Sequence, residues 1–262
     1  MAFSRLELPT SDLIGGDLPL IYIDNHLLCL YKPAGMLVQG DKSGDVCLLD
    51  LGKEWLKERF NKAGRTFLGL VHRLDRPVAG VVVFARTSKA ARRLSNQFRN
   101  RTVVKEYLGI VRGNPKYDEM SLTNHLEQRG RDCVRIVPHR TAFSKEAQLT
   151  YRVLDKKDGK ALLHIILKTG RKHQIRAQLA HLGHPIVGDT RYGDITALSY
   201  GQLALIGWRI TIEHPTRREP LTLQSPIPKG WPWLSRGLQS QGPLWNWMEI
   251  WKRFLNNYGQ VD

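Results

Sequence analysis

The sequence predicts an α+β chain in which strands dominate and a mixed, mostly antiparallel sheet carries flanking helices. Three observations lead there. Short apolar runs recur between turn residues, as in "LIYI" and "LLCLY". A few longer stretches repeat their apolar residues at helical spacing. No internal repeat or low-complexity linker divides the chain, so a single α+β body over residues 20–229 is the simplest architecture, with 1–19 as a lead-in.

In chain order, the two apolar runs flank Asp24-Asn25-His26 as a hairpin that opens into "KPAGMLVQGDKSG", a loop marked by Pro33, Gly35, Gly40 and Gly44. A helix is expected over about 48–61, with Leu48, Leu49, Trp55, Leu56 and Phe60 near one stripe. "FLGLVHRLDRPVAGVVVFAR" reads as a short strand before His72, a loop around Asp75, and a buried strand over 81–85. Thr87 or Ser88 caps the next helix, whose Ala91, Leu94 and Phe98 face inward while Lys89, Arg92, Arg93, Arg99 and Arg101 face largely outward. "KEYLGIVRG" returns as a strand, and the polar segment 114–144 is expected to be an irregular surface excursion. "AQLTYRVL" and "ALLHIILK" form antiparallel strands about Lys156-Lys157-Asp158-Gly159. "GRKHQIRAQLAHLGHP" is expected to be helical, with Ile175, Leu179 and Leu182 on one stripe and Gly183 as its stop. "LALIGWRITI" closes the core as a strand.

From Gly230 onward the composition changes. Residues 230–262 hold five of the seven tryptophans, and Leu244, Trp247, Met248, Trp251 and Leu255 fall at helical spacing. A helix packed on the body is the plain expectation; a membrane-surface or RNA-stacking appendage is the sharper one.

Forty Lys and Arg stand against 24 Asp and Glu, a formal charge of +16 spread along the chain, which implies a polyanionic partner. No apolar run approaches the roughly 18 residues of a spanning helix, and the start lacks the charged leader and apolar core of a signal peptide. A cytoplasmic location is expected, with a monomer as the default and no obligate protein partner indicated. Cys29, Cys47 and Cys133 lie far apart and support neither a disulfide framework nor a zinc site.

Three stretches carry chemistry: "HRLDRPVAG" with Asp75, "KEYLGIVRG" with Tyr107, and "TGRKHQIRAQLAHLGHPIVGD" with Arg176. Tyr107 lies 32 residues after Asp75, and Arg176 lies 69 after Tyr107, so only a fold could assemble them. Asp75 sits between Arg73 and Arg76, and nearby positive charge favours the ionised carboxylate. Read alone, this is an anion, a phenol and a helix arginine in a basic protein; a salt-bridged loop would explain the aspartate equally well. The set suits work on a nucleic acid without naming a reaction.

These stretches resemble the motifs of the RluA-type pseudouridine synthases: the "KPAG" loop, the "HRLDR" loop, the "KEY" strand and the "TGRKHQIR...LGHPIVGD.RYG" block. The similarity runs over about 20–228. It implies the pseudouridine synthase fold with a central RNA-binding cleft, and isomerisation of specific uridines in rRNA or tRNA by breaking the N1–C1′ bond and rejoining the base through C5. The target uridine would be flipped out of its stack. Asp75 would attack C1′ as an anion or take a proton from C2′. Arg176 would pair with Asp75, and Tyr107 would stack on the uracil and assist at C5. Arg73 would fill the vacated stack or hold a phosphate, and Ile175 would floor the base. His72, Arg171 and Lys172 complete the expected substrate-binding set. No cofactor and no metal is implied.

His72, His173, His181 and His184 fall in the motif blocks, but a metal site needs further ligands within reach, and none is evident. The late strand has Ile206 and Gly207 where the resembled family commonly has histidine and alanine, which touches the pocket wall there. Surface cations that could track RNA are Lys89, Arg92, Arg93, Arg99, Arg101, Arg129, Arg131, Arg171 and Lys172. A non-catalytic RNA-binding or RNA-folding factor is the alternative function, and a retaining N-glycoside hydrolase, which ordinarily uses two carboxylates, is a third.

Overall fold

The computed structural model describes residues 13–14, 18–130, 133–198, 201–228 and 231–233. Its strands are β1 (Leu13–Ile14), β2 (Leu18–Ile23), β3 (Leu27–Lys32), β4 (Gly69–Leu70), β5 (Ala79–Ala85), β6 (Val104–Arg112), β7 (Glu119–Arg129), β8 (Cys133–Val137), β9 (Lys145–Lys157), β10 (Lys160–Leu167), β11 (Leu205–Glu213) and β12 (Pro220–Gln224). The helices are α1 (Leu48–Arg59), α2 (Ser88–Arg99) and α3 (Gln174–His181), with a 3₁₀ turn over Thr190–Tyr192. The α+β expectation therefore holds. The chain falls into two compact units, 1–103 with 207–262, and 104–206. The expected lead-in falls almost wholly outside the described residues. So does the helix expected near 244–255.

In the first unit the strand order is β1-β2-β3-β5-β11, with β4 beside β5 and β12 beside β11. β3 and β5 run antiparallel, Leu27 opposite Ala85 and Lys32 opposite Gly80. Every residue of both strands is buried, which is why each reads as a continuous apolar run rather than an alternation. α1 buries Leu48, Leu51, Gly52 and Leu56. At Gly52 a Cβ would lie 2.9 Å from Leu68, so the glycine lets the helix lie close. α2 begins at Thr87, whose hydroxyl accepts the Ala90 amide at 3.2 Å, and buries Ala90 and Leu94.

The β2–β3 turn is held by Asp24. Its carboxylate accepts the amides of His26 and Leu27, each at 2.7 Å, the Tyr22 hydroxyl at 2.9 Å and His214 Nε2 at 2.7 Å. His214 Nδ1 accepts the amides of Thr216 and Arg217, so the proton sits on Nε2 and is donated to Asp24. Burial and the Asp24 carboxylate push the Tyr22 phenol up to about 12.

In the second unit the order is β6-β10-β9-β7-β8, all antiparallel. The β9–β10 connection is Asp158-Gly159, both with positive φ (51° and 66°), the two-residue turn that matches strand twist. Here the structure corrects the sequence reading. Residues 114–144 are not an irregular excursion; β7 and β8 form a hairpin with His125 opposite Val137 and Arg129 opposite Cys133. The strands were hidden because their inward positions are sparse: on β7, Leu122 and Leu126 are buried between polar residues.

α3 is also shorter than expected. Residues 170–173 stay outside the helix because His173 takes the left-handed conformation (φ 52°) at the N-cap and supplies no side-chain cap. The side chain of Gln174 takes over: its Oε1 accepts the Thr169 hydroxyl at 2.7 Å and the Arg171 amide at 3.0 Å, and its Nε2 donates to Gln148 O at 3.0 Å. One turn on, Gln178 Nε2 donates to Asn124 Oδ1 at 2.7 Å. Residues 174–179 are all buried. These bonds satisfy Gln174 at both ends of its amide, whereas at Gln178 only the Nε2 side is served and Oε1 is buried without a hydrogen-bond partner.

Candidate active site

Asp75 sits half-buried on the 71–78 loop between β4 and β5, with Leu74 and Val78 buried on either side. The loop is tied to the segment after β3 through Arg76. The Arg76 carbonyl accepts the Gly35 amide at 2.7 Å and Lys32 Nζ at 3.0 Å. Its guanidinium returns the contact, with Nε donating to Gly35 O at 2.9 Å and Nη2 2.6 Å from Asp45 Oδ2. Asp75's own carbonyl accepts the Val78 amide at 3.0 Å, closing the turn that contains Pro77.

Lys32 is the residue the sequence reading missed. It is fully buried, and its ammonium also donates to Pro33 O and Met36 O, each at 2.9 Å. In the protonated state its three N–H donors match these three carbonyls, and the neutral amine that dominates above about pH 7 can serve only two of them at once. Burial pushes the group down to about 7, and the Asp75 carboxylate pulls it the other way. The "KPAG" motif thus has a physical reason: its lysine fastens one loop to the residue that follows the aspartate.

The loop's exit is held by backbone packing. Gly80 has φ 141°, and a Cβ there would lie 2.4 Å from the Gly207 carbonyl oxygen. At Gly207 a Cβ would come 3.1 Å from Leu74. The departure from the resembled family at position 207 therefore touches the residue that immediately precedes Asp75.

The other residues on this loop divide in use. His72 Nε2 accepts the Val83 amide at 2.9 Å, and its ring stacks on Phe98 at 4.9 Å, so the imidazole helps hold the loop against β5 and α2. Arg73 is exposed. Among the surface cations, Arg92, Arg99, Arg101, Arg129 and Lys89 are exposed, whereas Arg93 donates to Pro215 O at 2.6 Å and so serves the fold. Arg131 lies outside the described residues.

In the second unit, Tyr107 is half-buried on β6 opposite Ile165. Ile175 is 5% exposed on the first turn of α3. Arg171 Nε donates to Glu146 O at 3.0 Å, and Lys172 is half-buried. Arg176 is buried and makes a two-pronged pair with Asp189, Nε to Oδ2 at 2.6 Å and Nη2 to Oδ1 at 2.9 Å. Its guanidinium carbon lies 4.9 Å from the centre of the Tyr192 ring. Asp189 and Tyr192 were quoted within a motif but given no role; their partner lies on α3, and spacing alone could not reveal it. Asp194, the residue that follows that block, accepts the Gly188 amide at 2.6 Å and the guanidinium of Arg112.

Among the described residues, no group of three or more His, Cys, Asp and Glu side chains could hold a metal ion. No helix among them is long and apolar enough to cross a membrane.

The fold is that of the solved pseudouridylate synthase domains. The human RNA pseudouridylate synthase domain containing 4 superposes with a TM-score of 0.68 at 26% identity, over 81% of this chain and 89% of that one. Residues 26–181 match the family model described as RNA pseudouridylate synthase. The chain is 32% identical over 225 residues to ribosomal large subunit pseudouridine synthase D of Nitrosomonas europaea, covering 80% of this chain and 62% of that protein. It is also 32% identical over 228 residues to tRNA pseudouridine synthase C of Pectobacterium carotovorum, covering 79% of this chain and 58% of that protein. This chain belongs to the RNA pseudouridylate synthase family. It spans about three fifths of the length of those two bacterial relatives.

Proposed function

We propose that the chain isomerises specific uridines of rRNA or tRNA to pseudouridine, with Asp75 as the reacting carboxylate. The observation that carries this reading is the mounting of Asp75: a half-buried acid on a loop fastened by a fully buried lysine and closed by a glycine that no other residue could replace. A solvated surface aspartate needs no such anchoring, whereas a reacting group must be held in one geometry. Membership of the family supports the same reading.

The target base leaves its stack, and the exposed Arg73 fills the gap or binds a phosphate. The Asp75 anion attacks C1′, or removes a proton from C2′ to give a glycal; both routes break the N1–C1′ bond and need an ionised carboxylate. Arg176 pairs with that carboxylate and keeps it charged and aimed. Tyr107 stacks on the detached uracil and assists loss of the C5 proton after rotation of the base. Ile175 floors the base, and Arg171 and Lys172 add phosphate contacts. C5 of the turned base bonds to C1′, which expels the Asp75 carboxylate or takes the C2′ proton back from it, and a proton gained at N1 balances the one lost from C5, so substrate and product are isomers.

Mapping pseudouridine across total RNA from cells with and without this protein tests the proposal. One or a few uridines should lose the modification when the protein is absent and regain it when the protein is restored. An unchanged map, with RNA binding intact, would favour the non-catalytic RNA-binding reading.

A further inference from the structure

We propose that Tyr192 is a positioning residue for the reaction, holding the Arg176 guanidinium in the pose that serves the reacting carboxylate; this rests on the role given to Arg176 above. The guanidinium is restrained from two directions. Asp189 grips its Nε–Nη2 edge and fixes rotation in the plane. The Tyr192 ring, 4.9 Å from Cζ, lies over the group and limits tilt out of the plane. One short turn supplies both contacts, since Asp189 precedes the 3₁₀ segment that ends at Tyr192.

The ring is itself pinned at its far end. The Tyr192 hydroxyl accepts the Val134 amide at 3.0 Å and lies 2.9 Å from His173 Nδ1. The two rings meet edge to face, 5.7 Å apart at 89°. Burial and the Arg176 charge hold His173 down to about 3, so the imidazole beside the phenol is neutral. Val134 belongs to a small buried cluster with Leu126, Ala147 and Ala177, against which Tyr192 also packs. A leucine would fill most of that volume. What it would lack is the π face toward the cation.

The test uses the full chain and total RNA from cells lacking the protein, which carries the unmodified target. Single-turnover rates of pseudouridine formation, RNA affinity and thermal melting are measured for the wild type, Tyr192→Phe, Tyr192→Leu, Arg176→Ala and the double variant Arg176→Ala/Tyr192→Leu. Tyr192→Phe keeps the ring and should react within about threefold of the wild type despite losing the hydroxyl's bonds, while Tyr192→Leu should be slowed roughly ten- to a hundredfold with affinity held and a melting temperature close to that of Tyr192→Phe. The double variant should be no slower than Arg176→Ala, because the tyrosine acts through the arginine.

A Tyr192→Leu rate within about twofold of the wild type, a rate loss matched by a melting temperature well below that of Tyr192→Phe or by lost affinity, or full additivity with Arg176→Ala overturns the inference. So does a Phe variant as slow as the Leu variant, which would place the effect in the hydroxyl. If the Leu variant does not fold, Tyr192→Met replaces it; failure of both to fold assigns the tyrosine a structural role and ends the proposal. An Arg176→Ala rate equal to the wild type, by contrast, overturns the role given to Arg176 itself.

Discussion

The ammonium of Lys32 donates a hydrogen bond of 3.0 Å to the backbone carbonyl of Arg76, 44 residues away and next to Asp75. The end of β3 and the Asp75 loop, distant in sequence, are thereby joined by a fully buried side chain. Removing the lysine should take a donor from three carbonyls, of which the Arg76 oxygen keeps the Gly35 amide. Lys32→Met is expected to cost about 1–3 kcal/mol of stability and to slow turnover roughly ten- to a hundredfold as the aspartate loses its anchor. Denaturant melts and single-turnover assays of the same preparation check both parts. A variant with normal turnover would detach Lys32 from the reaction.

The same lysine makes stability depend on pH. Its folded value is about 7 against an ordinary value of 10.5, so between those limits the unfolded chain binds the proton that the folded one has released. Stability must then rise with pH across that window, and the benefit is lost as pH falls through 7. Relative to Lys32→Met, wild-type stability should gain on the order of 1 kcal/mol per pH unit from about pH 7.5 to 9.5. A difference that stays flat over this range would contradict the assignment.

Gly80 tests the loop's exit. Its φ of 141° and the 2.4 Å approach of a built Cβ to Gly207 O involve backbone on both sides, which cannot swing away. Gly80→Ala should lose more than about 3 kcal/mol by urea denaturation or fail to fold. Gly40→Ala, where a Cβ meets nothing within 4 Å, is the control and should stay within about 0.5 kcal/mol of the wild type.

Arg176 and Asp189 are both nearly sequestered from water, with side chains 6% and 1% exposed. Asp189→Asn leaves the guanidinium buried with half its pairing, and should cost about 3–5 kcal/mol. Arg176→Met/Asp189→Leu should recover much of that stability while remaining inactive. Thermal melts paired with activity measurements separate the two effects; a double variant that regains activity would remove Arg176 from the chemistry.

Much of the fold could be read from the chain. β3 and β5 announced themselves as unbroken apolar runs because both are wholly buried. Thr87 as a cap and Asp158-Gly159 as a turn follow from local chemistry. The β7–β8 hairpin did not, because few of its side chains are buried and its order comes from pairing β7 with β9, an interaction distant in sequence. α3 was read four residues too long because nothing in "GRKH" marks the left-handed backbone of His173. Asp75, Tyr107 and Arg176 stood out through their motifs. Lys32, Asp189 and Tyr192 did not, since each acts through a partner that only folding brings near.

The most direct measurement is pseudouridine formation by purified Asp75→Asn on RNA from cells lacking the protein, with RNA affinity and melting temperature recorded alongside. The amide keeps the shape of the side chain and removes its charge. RNA binding and melting close to the wild type with no detectable pseudouridine is the predicted result; pseudouridine formed at the wild-type rate would contradict the account.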